Sequence, residues 1–243
     1  MKLFEPDIKA IVLNHFLERG VIGSESLVMD EFTIDNKSRR VDLALYYQGK
    51  FIGIEIKSEA DSLYRLEGQL DSYTQYFDKT IVVSATKHLE DIRTLNNSNI
   101  GLWEISPNGI KVVQRGKTSL IKDKSKLTKL MLKNELNFPV SKTSIKDLRN
   151  KVEQSLRSRF TDSSEHFVQS IKHNQITADD IHLLSRFKSE RQRFNSHVTE
   201  SLNFWENWSK TTVSQDLRRL GIKSRDRLSF GEVPADIKEL IEA

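Results

Sequence analysis

The order of residues predicts an α/β protein, with a mixed sheet flanked by helices and a helical region after it. Three observations carry that prediction. Apolar residues recur at every second position around residues 27–34, 41–46 and 51–57, the period of a strand. Segments with a 3.6-residue apolar period precede and follow these strands, and the helix after the third leads into the short apolar run 80–85, which implies a crossover to a buried strand. Beyond about residue 117 the strand signals stop and lysines accumulate. The expected division is therefore 1–116 as the α/β domain and 117–243 as a basic α-helical domain.

Glu5-Pro6-Asp7 reads as a helix start with proline in the first turn, and Ile8, Ile11, Val12 and Phe16 continue it as a stripe to Gly20. In the strand of residues 27–34, Val28, Asp30 and Phe32 alternate with Met29, Glu31 and Thr33. Asn36-Lys37 then turns the chain, with Arg39 and Arg40 just beyond. Val41, Leu43 and Leu45 form an apolar face, so Asp42 points away from it; after the turn at Gln48, Gly49 and Lys50, Ile52, Ile54 and Ile56 alternate with Gly53, Glu55 and Lys57. Glu55 and Lys57 thus share a face. Asp61 or Ser62 is expected to begin the helix of Leu63, Leu66, Leu70 and Tyr73. Residues 89–95 read as a short helix, and 101–105 with 110–114 as a hairpin around Pro107-Asn108-Gly109.

Adjacent strands joined by a short turn pair antiparallel, which lets Asp42 meet Glu55 and Lys57 at one edge in the right register. Two close carboxylates repel unless a cation lies between them, and hard divalent ions take oxygen ligands. A lysine two positions on can orient or deprotonate water, while a metal supplies Lewis acidity at a phosphate. Asp42, the hairpin and Glu55-Ile56-Lys57 resemble the PD-(D/E)XK nuclease superfamily, with Val41 where the motif's name carries proline. The resemblance implies a restriction-endonuclease-like core and Mg²⁺ or Mn²⁺ held by Asp42, Glu55 and the Ile56 carbonyl, with Lys57 orienting water. Gln69-x-x-x-Tyr73 in the next helix, following Arg65 on the same face, is similar to the element of RecB-like members, whose Gln69 and Tyr73 equivalents lie beside the scissile phosphate. For a further acidic ligand, Glu31 is favoured over Glu18 and Glu25, because a strand beside Asp42 is a more rigid mount. The implied activity is divalent-metal-dependent phosphodiester hydrolysis with DNA as the favoured substrate and RNA the alternative. The competing expectation is a catalytically silent, phage- or defence-related protein that uses the nuclease fold to bind a partner or nucleic acid.

In the second region Ile145, Leu148, Val152, Leu156 and Phe160 mark a helix, and Thr177-x-x-Asp180 resembles a capping box opening a long one with Ile181, Leu184, Phe187, Phe194, Val198, Leu202 and Trp205. Residues 211–222 are weakly similar to a winged helix-turn-helix recognition helix, without a wing. The net charge of +4 is unevenly spread: 14 Lys and Arg against 17 Asp and Glu in 1–116, and 24 against 17 in 117–243. A balance of +7 suits a phosphate backbone, although solvated lysine-rich helices are common. The helical region is also where a protein partner or second copy would attach. The chain has no cysteine, which excludes disulfides, thiolate zinc sites and cysteine nucleophiles. With no membrane-length apolar run, targeting segment or Gly-rich phosphate loop, the expectation is a cytoplasmic protein without a membrane or ATP.

Overall fold

A computed structural model describes residues 3–34, 39–95, 98–106 and 109–184. Among them one mixed sheet runs in sequence order: β1 (Leu27–Ile34), β2 (Arg39–Tyr47), β3 (Lys50–Lys57), β4 (Lys79–Ala85), β5 (Gly101–Ser106) and β6 (Gly109–Gln114). β1, β2 and β3 pair antiparallel, β3, β4 and β5 pair parallel, and β6 returns antiparallel. Parallel neighbours need a crossover, supplied here by α2 (Leu66–Tyr76) and by α3 (Leu89–Thr94). The protein is thus α/β, with helices on both faces of the sheet.

On one face α1 (Glu5–Glu18) packs Ile8, Val12, Leu13 and Phe16 against Val28, Leu43, Leu45, Ile54 and Ile81. On the other, α5 (Ile145–Ser170) packs Leu148, Val152, Leu156 and Phe160 against Met29, Phe32, Ala44, Tyr46 and Phe51. β2 is therefore covered on both faces, not one. Its second face reads as polar because Tyr46 carries a hydroxyl, which donates to Glu153 Oε2 at 2.8 Å while the ring is buried. Gly53 leaves room for Phe77 to lie on β3, since a Cβ there would stand 2.5 Å from the ring. α5 also shields the open edge of the sheet. Ser164 Oγ accepts from the Val28 N–H at 2.9 Å and donates to its carbonyl at 3.1 Å.

The expected boundary at 116/117 falls inside a compact unit that extends over Met1–Lys188. Asp78 shows why. Its carboxylate, 2% exposed, accepts from the N–H groups of Phe51 and Ile121 at 2.8 Å each, and from both terminal nitrogens of Arg149 at 2.9 and 2.7 Å. Arg149 also donates to the Gly49 carbonyl at 2.8 Å, so one bidentate pair joins the β2–β3 turn, the segment after β6 and α5. Beside α5 and α2, α4 (Lys124–Thr128) adds Leu127 to the core.

Two helix starts differ from expectation. α2 begins at Leu66, because Asp61 Oδ2 accepts from the Ser58 N–H at 2.8 Å and the Ser58 hydroxyl at 2.6 Å and so closes a turn of its own. Arg65 therefore stands just before α2, at its N-cap position, without a side-chain capping hydrogen bond. Thr177 and Asp180 do form a cap, with the Thr177 N–H and hydroxyl both donating to Asp180 Oδ2 at 2.8 Å, but the segment it opens, Ala178–Leu184, is 3₁₀. Phe187, Phe194, Val198, Leu202, Trp205 and the recognition-helix resemblance at 211–222 lie outside the described residues.

Candidate metal and catalytic site

The β2–β3 ladder ends at Leu43↔Ile54, while β2 continues along β1 to Arg39↔Ile34 and β3 along β4 to Lys57↔Ser84. The two strands thus part where Asp42 faces Glu55, Ile56 and Lys57. Across the gap, the Ile56 N–H donates to Asp42 Oδ2 at 2.6 Å. A strand residue's N–H and carbonyl address the same neighbour, so the Ile56 carbonyl also faces the Asp42 side.

Glu55 is 1% exposed. Its Oε1 accepts from Lys57 Nζ at 2.8 Å and Gln69 Nε2 at 2.6 Å, and Lys57 Nζ also donates to Gln69 Oε1 at 3.2 Å. Gln69 and Tyr73 sit one turn apart on α2, so both reach this corner: Gln69 Nε2 lies 3.3 Å from the Tyr73 hydroxyl, which donates to the Arg40 carbonyl at 2.6 Å. Glu55 Oε2 is different. It is buried with no hydrogen-bond partner. A buried lone carboxylate oxygen is costly, and burial together with the Glu55 charge pushes the Asp42 carboxyl up to about 8. Burial and the same Glu55 charge raise the Tyr73 hydroxyl above its ordinary value.

Next to Asp42 lies an acid cluster that the sequence reading only partly anticipated. Ligand oxygens of Glu5, Glu31 and Asp42 lie within 4.8 Å of one another. Glu31, in β1, holds φ at 53°, in the left-handed region that a non-glycine residue rarely occupies. That breaks the strand's alternation, so Asp30 and Glu31 both reach Lys9 Nζ, at 2.7 and 3.1 Å. Glu5, one helical turn before Lys9 on α1, joins them at 2.7 Å. Glu31 Oε2 pairs in addition with Arg40 Nε, so both oxygens of the favoured fourth ligand already hold cations. Burial opposes the Lys9 charge, but Asp30 and then Glu5 outweigh it and hold the ammonium protonated above its ordinary value.

Asp42, Glu55, Lys57, Gln69 and Tyr73 therefore come together, with Ile56 between them. Glu18 and Glu25 do not. Both are exposed, and Glu18 stands at the far end of α1, about 20 Å of helix from Glu5. The residues missed were Glu5 and Lys9, whose signal was their i,i+4 spacing on one helix.

The sequence profile of the family described as bacteriophage P4 protein cII matches residues 1–185. The chain belongs to that family. Protein cII of Enterobacteria phage P4 is 27% identical to it over 249 residues, 90% of this chain and 92% of the phage protein. Among solved structures, a protein of unknown function from Silicibacter pomeroyi is similar over 65% of this chain and 87% of its own, at 15% identity and a TM-score of 0.41, too distant to carry an argument. The match at residues 1–185 takes in every residue of the site just described, together with α5. No described helix of this cII-family chain is long and apolar enough to cross a membrane.

Proposed function

We propose that this cII-family protein is a divalent-metal-dependent nuclease of PD-(D/E)XK type, acting on DNA. One observation carries the reading: a buried glutamate, Glu55, keeps one oxygen free of hydrogen bonds beside Asp42, whose carboxyl is pushed up to about 8 by burial and then by the Glu55 charge. Such a pair is poorly satisfied on its own and suits a hard cation with oxygen ligands. The donor set of Asp42, Glu55 and the Ile56 carbonyl fits Mg²⁺ or Mn²⁺. When bound, the ion would supply Lewis acidity and neutralise charge developing on a phosphate.

The chain's own residues then divide the remaining work. Lys57, fixed by Glu55 Oε1 and Gln69 Oε1, has its third proton free to orient an attacking water. Gln69 holds Glu55 Oε1, leaving Oε2 for the ion, and Tyr73 ties this corner to β2 through Arg40. The exposed Arg40 side chain and the basic residues of 117–243 suit a phosphate backbone.

The test is cleavage of circular and linear, single- and double-stranded DNA with Mn²⁺ or Mg²⁺, by wild type and Asp42→Ala side by side. Cutting should vanish with the substitution and with chelator; an RNA substrate cut in preference would change the substrate but not the reaction. A catalytically silent scaffold has one observation in its favour, that Lys9 already neutralises Glu5 and Glu31 from within. Absence of any Mn²⁺ site dependent on Asp42 and Glu55 would establish that reading.

A further inference from the structure

Lys9 is an unusual occupant of an acid cluster. Its side chain is 5% exposed, and its ammonium meets Glu5, Asp30 and Glu31 at 2.7, 2.7 and 3.1 Å. An ammonium has three protons, so three carboxylates use them all. Two of those carboxylates, Glu5 and Glu31, are the ones whose oxygens lie within 4.8 Å of an oxygen of Asp42. Around Asp42 the acids thus fall into two sets. Glu5, Asp30 and Glu31 surround a fixed cation, whereas Glu55 keeps a buried, unpartnered Oε2. Glu31 is held in its left-handed conformation on that fixed cation and on Arg40, which makes the arrangement a built one rather than a chance surface pairing.

We propose that Lys9 is a built-in cation that fills the second cation position beside Asp42, so that the site takes a single divalent ion, between Asp42 and Glu55. The inference rests on the metal-dependent reading above and refines it: Glu5 and Glu31 serve Lys9 and are not ligands of the divalent ion. An ammonium supplies positive charge without an exchangeable ligand shell, so it can stabilise negative charge nearby but cannot activate a water as a metal does.

The experiment counts Mn²⁺ bound to the full chain, by titration with electron paramagnetic resonance of the free ion. Wild type should bind one ion, and Lys9→Met, which removes the charge while keeping an unbranched apolar side chain, should bind a second, lost again in Lys9→Met combined with Glu31→Gln. Two ions on wild type, or one ion on a Lys9→Met protein that circular dichroism shows to be folded, would overturn the proposal and leave the metal-dependent reading standing. No ion on wild type would overturn both. Should Lys9→Met not fold, Glu5→Gln decides, since Glu5 is half exposed and pairs at the helix start. Its Mn²⁺ affinity should stay within about threefold of wild type, the size of a nearby exposed charge, whereas a loss of about tenfold or more would make Glu5 a ligand and refute the inference.

Discussion

Two buried carboxylate centres lie toward opposite ends of β3, Asp78 at Phe51 and Glu55 beside Lys57, and they are solved in opposite ways. At Asp78 both oxygens are used: two backbone N–H groups and a bidentate guanidinium leave nothing unpaired. At Asp42 and Glu55 the acids face each other, one oxygen has no partner, and burial favours protonation of Asp42. A satisfied buried carboxylate can hold a fold together, whereas an unsatisfied one costs stability where it stands. The difference is measurable.

The largest effect is expected at the satisfied centre. Asp78→Ala strips the half-buried Arg149 guanidinium of its carboxylate and the Phe51 and Ile121 N–H groups of their acceptor, and should lower stability by about 3–5 kcal/mol in urea denaturation, without altering metal binding per folded molecule. Equal loss of Mn²⁺ affinity and stability would dissolve the contrast between the two centres.

Asp42→Asn should do the reverse. Asn keeps an acceptor for the Ile56 N–H but cannot ionise. Because the folded carboxyl titrates at about 8 and the unfolded one near 4, the metal-free fold holds a proton that the unfolded chain has released. Wild-type stability in chelator should therefore fall as pH rises from about 4 to about 8, and the Asn variant should be the more stable at pH 8 by on the order of 1–3 kcal/mol while losing cleavage. A variant less stable than wild type at every pH would place Asp42 with Asp78 as a structural acid.

The same proton must leave before a cation binds. Mn²⁺ affinity should rise with pH and level off above about 8, with close to one proton released per ion below it, as calorimetry in buffers of different ionisation enthalpy would show. The smallest effect is expected from Tyr73→Phe, which removes the tether to the Arg40 carbonyl. It should cost about 1 kcal/mol in stability and reduce cleavage less than Asp42→Ala does. A loss as large as that of Asp42→Ala would make Tyr73 part of the chemistry.

The site was more legible in the sequence than its surroundings. Alternation along residues 51–57 placed Glu55 and Lys57, because side-chain direction in a regular strand depends only on parity. It did not place Asp42, since Val41 packs on the α5 side while Leu43 and Leu45 pack on the α1 side, so the expected face of Val41, Leu43 and Leu45 breaks at Asp42, whose carboxylate lies near Glu5 of α1. One turn of helix between Gln69 and Tyr73 aligned those two for the same kind of reason. The cluster of Glu5, Lys9, Asp30 and Glu31 was legible only in Glu31, set beside Asp42, since a single left-handed residue there undid the parity on which β1 was read and brought Asp30 to the same lysine. Nor was the start of α2, where Asp61 closed a local turn before the helix began.

By itself, then, the sequence determined the strands, the hairpin and crossover that join them, and the face that Glu55 and Lys57 share on β3, all of which follow from local periodicity and short connections. Only the tertiary structure decided that α5 belongs to the same compact unit, that β2 is buried on both faces, and that Lys9 stands among three acids. Those outcomes rest on contacts between residues far apart in the chain, such as Asp78 and Arg149 at 71 positions' separation, and no local pattern records which distant partner will cover a face or satisfy a charge.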